Sequence, residues 1–299
     1  MPWYGYALIA AVSIAAVGLL QKRNLQQEHS TEYVTVFSSI KLLLFLLLFG
    51  RVVDWHVTSN QFILLVIDGI LASIAFYLTA KAMRRLELST VLPVLSLEPG
   101  LVAVLAAMFL GEIIRGGHLL GLGLLVVGAY VLEFERQHAH PATISPAQTL
   151  INPLRRLIAR PGGGYAFGAL FFFSASSVLD RYLLQHVPTT TYLAYIFTTM
   201  TIFFLLRFFL IREQLVVFRR GYRPLLFTIV AIAGLHLLSN YSQAQATGLA
   251  AVGLVIALKR LSVLLDVIIG GRFFHEHHLA QKTVASLIVL IGAYFIVAT

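Results

Sequence analysis

Gly128-Ala129-Tyr130 and Gly292-Ala293-Tyr294 stand 164 positions apart, and the sequence before them keeps that register. Phe109 falls against Phe273, Gly111-Glu112 against His275-Glu276, and Tyr77 against Tyr241. A second register of 159 pairs Gly5-Tyr6-Ala7 with Gly164-Tyr165-Ala166, Lys22 with Arg181, and Tyr33 with Tyr192. The chain is therefore two copies of one unit. Residues 1–134 form the first repeat, 135–164 a linker and 165–299 the second repeat.

Composition sets the solvent in which this unit folds. Apolar residues make up 59% of the chain and charged residues only 12%, with a mean hydropathy of +0.85. Soluble domains carry about 25% charged residues, and a soluble core hiding this much apolar surface would leave too little polar surface outside. The apolar runs are continuous rather than alternating, which selects helices over a barrel, because a backbone in lipid must satisfy its own hydrogen bonds. Spans are expected near 3–20, 33–49, 62–80, 91–110 and 118–132 in the first copy. In the second they fall near 165–179, 192–211, 225–246, 249–269 and 284–298. Five spans per copy is an odd number, so the second copy enters the membrane in the opposite direction. The expected fold class is thus an all-α membrane protein of ten transmembrane helices, two inverted five-helix repeats around a central cavity. A short interfacial helix is expected at 150–158 within the linker.

The net charge of +9 has a membrane explanation. Odd-numbered loops carry fifteen Lys and Arg, the even ones only Arg51, Arg115 and Arg181. By the positive-inside rule the odd loops are cytoplasmic and both termini outside. Basic residues form no extended patch interleaved with exposed aromatics, so no nucleic-acid partner is expected. Met1-Pro2-Trp3-Tyr4 lacks a basic n-region and a small-residue cleavage site, so the first span reads as retained. Cysteine is absent, which removes disulfides and thiolate metal sites. There is no Gly-rich phosphate loop followed by Lys-Ser/Thr and no nucleophile triad grouping, so no enzyme and no cofactor are expected. His275, His277 and His278 sit at a span end without an organised carboxylate set, and no metal is expected there.

The segment 92–132 resembles the EamA domain of the drug/metabolite transporter superfamily: a Pro-containing span, Phe109-Leu110-Gly111-Glu112, a short turn, then a Gly-containing span ending Gly128-Ala129-Tyr130. Leu258-Lys259-Arg260-Leu261-Ser262 and Phe273-Phe274-His275-Glu276 are similar to the second repeat of that family. The resemblance implies ten helices around a cavity and transport of small organic solutes, in a multi-pass protein of the cell (inner) membrane. It also implies cytoplasmic termini, opposite to the charge count.

Ionisable residues inside spans are functional candidates by default, since each costs about 2.5–3.5 kcal/mol at a helix centre on insertion scales. Glu98, Asp68, Lys41, Lys259 and Arg260 qualify. The 164 register sets Lys259 and Arg260 less than one turn from the level of Glu98, so the three can form a buried pair, a substrate site or a proton-coupling site. His236, Asn240 and Tyr241 lie on an eighth span too polar to face lipid, suited either to lining a water-filled site or to interhelical bonding. Lys41 and Arg207 are expected to snorkel. Glu112 and Glu276 read as turn anchors or gating groups, while Pro93 and Pro99 bend the fourth span. The expected partners are a small-molecule substrate and the lipid bilayer, with a coupled proton or an exchanged solute. A small polar or zwitterionic metabolite, or a drug, fits a central carboxylate beside two cations. A flippase for a lipid-linked anionic intermediate is the alternative. A reporter active only in the cytoplasm, fused after Thr299, should be silent if the basic loops set orientation; strong activity would show the termini to be cytoplasmic.

Overall fold

A computed structural model describes residues 1–27, 30–86, 97–110, 161–211, 223–249 and 279–298, with single positions from 91 to 131 and from 255 to 272. Eight helices lie in these segments: α1 (Trp3–Gln27), α2 (Ser30–Phe49), α3 (Ser59–Arg85), α4 (Glu98–Leu110), α5 (Gly163–His186), α6 (Thr189–Ile211), α7 (Arg223–Leu249) and α8 (Leu279–Ala298). No strand occurs among the described residues. The spans expected at 118–132 and 249–269, the interfacial helix, Pro93, Glu112, Arg260, Glu276 and the three clustered histidines lie wholly or mainly outside them.

Among the described residues, four helices are long and apolar enough to cross a membrane: Trp3–Gln21, Ser59–Arg85, Gly163–His186 and Thr189–Leu210. Their outward faces carry large apolar side chains, Ile63 and Ile67 on α3 and Phe209 and Leu210 on α6 among them. In water such a surface would aggregate; in lipid it is the solvent-facing side.

The third span was expected to stop at Ala80, yet α3 runs to Arg85. Lysine and arginine are good helix formers, and the Lys81 Nζ lies over the Tyr77 ring at 4.7 Å and the Tyr165 ring at 5.2 Å. Arg84 and Arg85 then sit in the last turn, where the helix dipole favours cations. At the other end, Thr58 and Gln61 close a capping box: Thr58 Oγ1 accepts from the Gln61 amide at 3.4 Å, and Gln61 Oε1 accepts from the Thr58 amide at 3.0 Å. The preceding loop is held at Asp54, whose exposed carboxyl is kept below its ordinary range first by the His56 backbone N–H and then by the His56 ring. That preference for the charged form is present at neutral pH and is lost as the pH falls through the lowered pKa.

The two copies pack by exchange. The 159 register makes α5 the counterpart of α1 and α6 that of α2, and the 164 register makes α7 the counterpart of α3. Helix α1 packs on α7 while α3 packs on α5, so each pairing has its mirror in the other copy. Both run antiparallel. Along α3, Gln61, Asp68, Leu78 and Arg85 meet His186, Ser176, Gly168 and Gly162 of α5. At the centre, α2 packs on its own counterpart α6, with Thr35 bonded to the Phe204 carbonyl, Thr201 to the Ser38 carbonyl and Phe45 against Phe197. Equivalent helices that cross antiparallel are what inversion of the repeat requires of this pair.

Glycine sets two close approaches. Gly162 begins α5 at φ 107°, in the left-handed region, and a Cβ there would lie 2.8 Å from the Arg85 Cβ. Gly69 lets α3 approach α6 so closely that a Cβ would lie 2.6 Å from the Thr199 Cβ. Gly69→Ala should therefore force α3 and α6 apart and cost about 1–3 kcal/mol by overpacking, read as a lowered melting temperature. Ala at position 5, where an added Cβ meets only the flexible Met1 side chain, should be nearly neutral.

Candidate functional site

The fourth span is broken where the sequence predicts a bend. Val91, Val94 and Leu95 are helical, Leu97 is a turn that donates to the Val94 carbonyl at 3.1 Å, and α4 starts at Glu98. Pro99 has no N–H to continue the earlier turn. Its side chain lies outside the described residues. Glu98 thus stands at a helix start inside the membrane region, where the dipole favours a carboxylate, rather than midway along one continuous helix. Its Oε1 accepts from Ser177 Oγ of α5 at 2.6 Å.

One residue before Ser177, Ser176 donates to Asp68 Oδ1 at 2.5 Å. Asp68 is fully buried on α3, beside the Gly69 approach, and α6 supplies the next contact. The Tyr192 hydroxyl lies 3.2 Å from Asp68 Oδ2 and also bonds Asp180 Oδ1. A phenol has one hydrogen and so can donate to only one of two carboxyls. The Tyr192 hydroxyl joins the two carboxyls of Asp68 and Asp180 at one point. Four helices therefore meet at one carboxylate corner: α3, α4, α5 and α6.

The matching corner of the other copy differs in chemistry. By the registers, Tyr33, Gln21, Val17 and Ile232 take the places of Tyr192, Asp180, Ser176 and Asp68. The Tyr33 hydroxyl and Gln21 Nε2 are buried without a hydrogen-bond partner. One corner is a satisfied polar network; its counterpart is apolar with two unmet polar atoms.

Lys259 donates to Gln243 Oε1. Gln243 lies seven positions after His236, on the same face of α7. His236 meets Phe37 and Phe76 edge-on, at 5.4 and 6.0 Å between ring centroids. Asn240 is half-buried one turn further along. Tyr241 is committed to stacking on Phe49 at 4.8 Å, and Ser239 donates to the Ala10 carbonyl at 2.9 Å. The polar run of this span is thus divided between interhelical bonding and an inward face.

Two expectations are overturned. Lys41 does not snorkel: it is 2% exposed, with Nζ over the Phe197 ring at 4.0 Å, because it occupies the α2–α6 crossing. Arg207 also turns inward, donating to the Tyr77 hydroxyl at 2.7 Å and lying over that ring at 4.3 Å. A phenol offers both an acceptor and a π face to a guanidinium. Sequence reasoning missed Asp180, Tyr192, Ser176 and Ser177. The pairing of Tyr33 with Tyr192 marked that level of the fold without showing that carboxylates surround it. No group of three or more residues suited to a metal occurs among the described residues.

Residues 1–134 match the EamA-like transporter family, the domain of the drug/metabolite transporter superfamily. Over its length the chain resembles solved folds; one crystal structure aligns with a TM-score of 0.60 across 97% of this chain and 96% of its own, at 15% identity. That likeness is one of fold. No curated protein matches. Within the carboxylate corner, Asp68→Asn can still accept from Ser176 and can donate toward Tyr192, so its melting temperature should stay near that of the native chain. Asp68→Ala strands Ser176 and should cost about 1–3 kcal/mol. Equal losses in the two variants would show that shape, not hydrogen bonding, holds the corner.

Proposed function

We propose that this chain, whose first 134 residues form an EamA-like transporter domain, is a secondary transporter that moves a small polar or zwitterionic metabolite by alternating access. In this reading it carries ten spans in two inverted repeats, in the cytoplasmic membrane, and the solute sits in a central cavity between Glu98 on one side and Lys259 with His236 on the other. Asn240 contributes hydrogen bonding beside them.

The observation that carries the reading is the break in the fourth span at Glu98. A helix interrupted inside the membrane region exposes unsatisfied amides, which is tolerated only where protein or a cavity receives them. Transporters place substrate at such half-helix ends. Glu98 neutralises the positive helix end when the site is empty, and a cationic group of the solute can replace Ser177 as its partner. Asp68, bonded to Ser176 beside the Ser177 that holds Glu98, and Asp180, joined to Asp68 through Tyr192, supply carriers for proton coupling.

Glu98→Gln keeps the size of the side chain and removes its charge. Reconstituted in proteoliposomes, the variant should insert and fold near normally and lose transport of the solute identified by a binding screen of amino acids, nucleosides, sugar phosphates and cationic drugs. Unchanged flux would remove Glu98 from the mechanism.

A further inference from the structure

Lys41 sits opposite its own counterpart. Its Nζ lies 3.9 Å from the Sδ of Met200, 159 positions further on, which is the same position of the second copy. Because α2 and α6 cross antiparallel, the local twofold relating them passes between these two side chains. One copy places an ammonium on that axis; the other places a thioether.

The Lys41 amine is buried, and among the described residues no carboxylate is paired with it. Its partners among those residues are the Met200 sulfur, a weak acceptor, and the rings of Phe197 and Phe37 at 4.0 and 5.5 Å. Cation–π contacts recover only part of what desolvating a cation costs. Phe37 also contacts His236, whose Nδ1 is buried without a partner. Both Lys41 and Lys259 lie within electrostatic reach of that imidazole, but Lys259 is engaged by Gln243. The centre of the bundle therefore holds the Lys41 amine and the unmet His236 nitrogen, both against the ring of Phe37.

We propose that Lys41 and His236 form the anion-recognising half of the substrate site and take the carboxylate of a small organic acid or amino acid. The proposal deepens the transport reading above and rests on it for the direction in which the solute moves. One amine and one imidazole nitrogen match the two oxygens of a carboxylate rather than the larger oxygen set of a phosphate. Phe37, Phe76 and Phe197 surround the amine and the imidazole with aromatic rings, which suit a planar body attached to the carboxylate. With Glu98 receiving a cationic group, the arrangement selects solutes carrying both charges over simple cations.

The test is equilibrium binding to the full chain in lipid nanodiscs, read as thermal stabilisation by benzoate, with benzamide as its neutral isostere and inorganic phosphate as the dianion. A ligand that binds only the folded protein raises its melting temperature. Benzoate at about tenfold over its dissociation constant should give a rise of about 3–5 °C, with no comparable rise from benzamide or phosphate. Lys41→Met should abolish the benzoate response while melting at or above the native temperature, since Met already fills the equivalent place. Lys41→Arg should retain a weaker response. His236→Phe should weaken benzoate binding by about tenfold, the loss of one neutral hydrogen bond. A benzoate response that survives in Lys41→Met, a benzamide response as large as that of benzoate, or no benzoate response in the native chain would each overturn the proposal. So would failure of both Lys41→Met and Lys41→Gln to fold, because the charge would then be structural. Failure of the transport reading looks different: benzoate binds, and no solute crosses a proteoliposome membrane.

Discussion

The α2–α6 crossing is the contact on which the other packing depends. A helix and its repeat counterpart can pack on each other only around their common axis, and the residues at that axis meet their own equivalents. Two further contacts among the described residues come in exchanged pairs: α1 on α7 with α5 on α3, and α3 on α6 with α7 on α2. The hydrocarbon solvent gives no hydrophobic preference for one helix surface over another, so close approach, hydroxyl-to-carbonyl bonds and aromatic contacts must supply the specificity. Thr35, Thr201 and Ser239 do this by donating to carbonyls of neighbouring helices.

Against that near-symmetric frame, the chemistry is one-sided. Asp68, Asp180, Ser176 and Tyr192 form a bonded corner in one half, and Ile232, Gln21, Val17 and Tyr33 occupy the same places in the other. A site built at the boundary of two equal halves would present the same groups to both membrane faces. The replacement of carboxylates by an amide and aliphatic side chains removes that equality, and it does so without disturbing the helix pairing, because the substituted residues are similar in bulk.

The all-helical membrane class was legible in the continuous apolar runs, and helices that the sequence offsets set as equivalent pack in exchanged pairs among the described residues. Tyr33 and Tyr192 are an example: the register predicted equivalent places, and the structure puts both on the helices that cross at the centre. Pro93 lies outside the described residues; beside Pro99, a turn at Leu97 precedes the helix that starts at Glu98. What sequence could not give was the direction in which long side chains turn. Lys41 and Arg207 have stems long enough to reach an interface, and only the positions of Phe197 and Tyr77 decide that they turn inward. Asp180 escaped notice because it lies near a span end, where a carboxylate is ordinary; its burial against Tyr192 and Asp68 is a property of three helices together.

The absence of a side chain at Gly69 also has a mechanical meaning. With Thr199 filling the space that a Cβ would need, α3 and α6 meet without slack, and neither can slide past the other by a fraction of a turn without collision. Two rods clamped in that way act as a single lever arm. Any displacement of one helix is then shared with the other at the level of Asp68 and Tyr192, whose side chains meet beside the clamp.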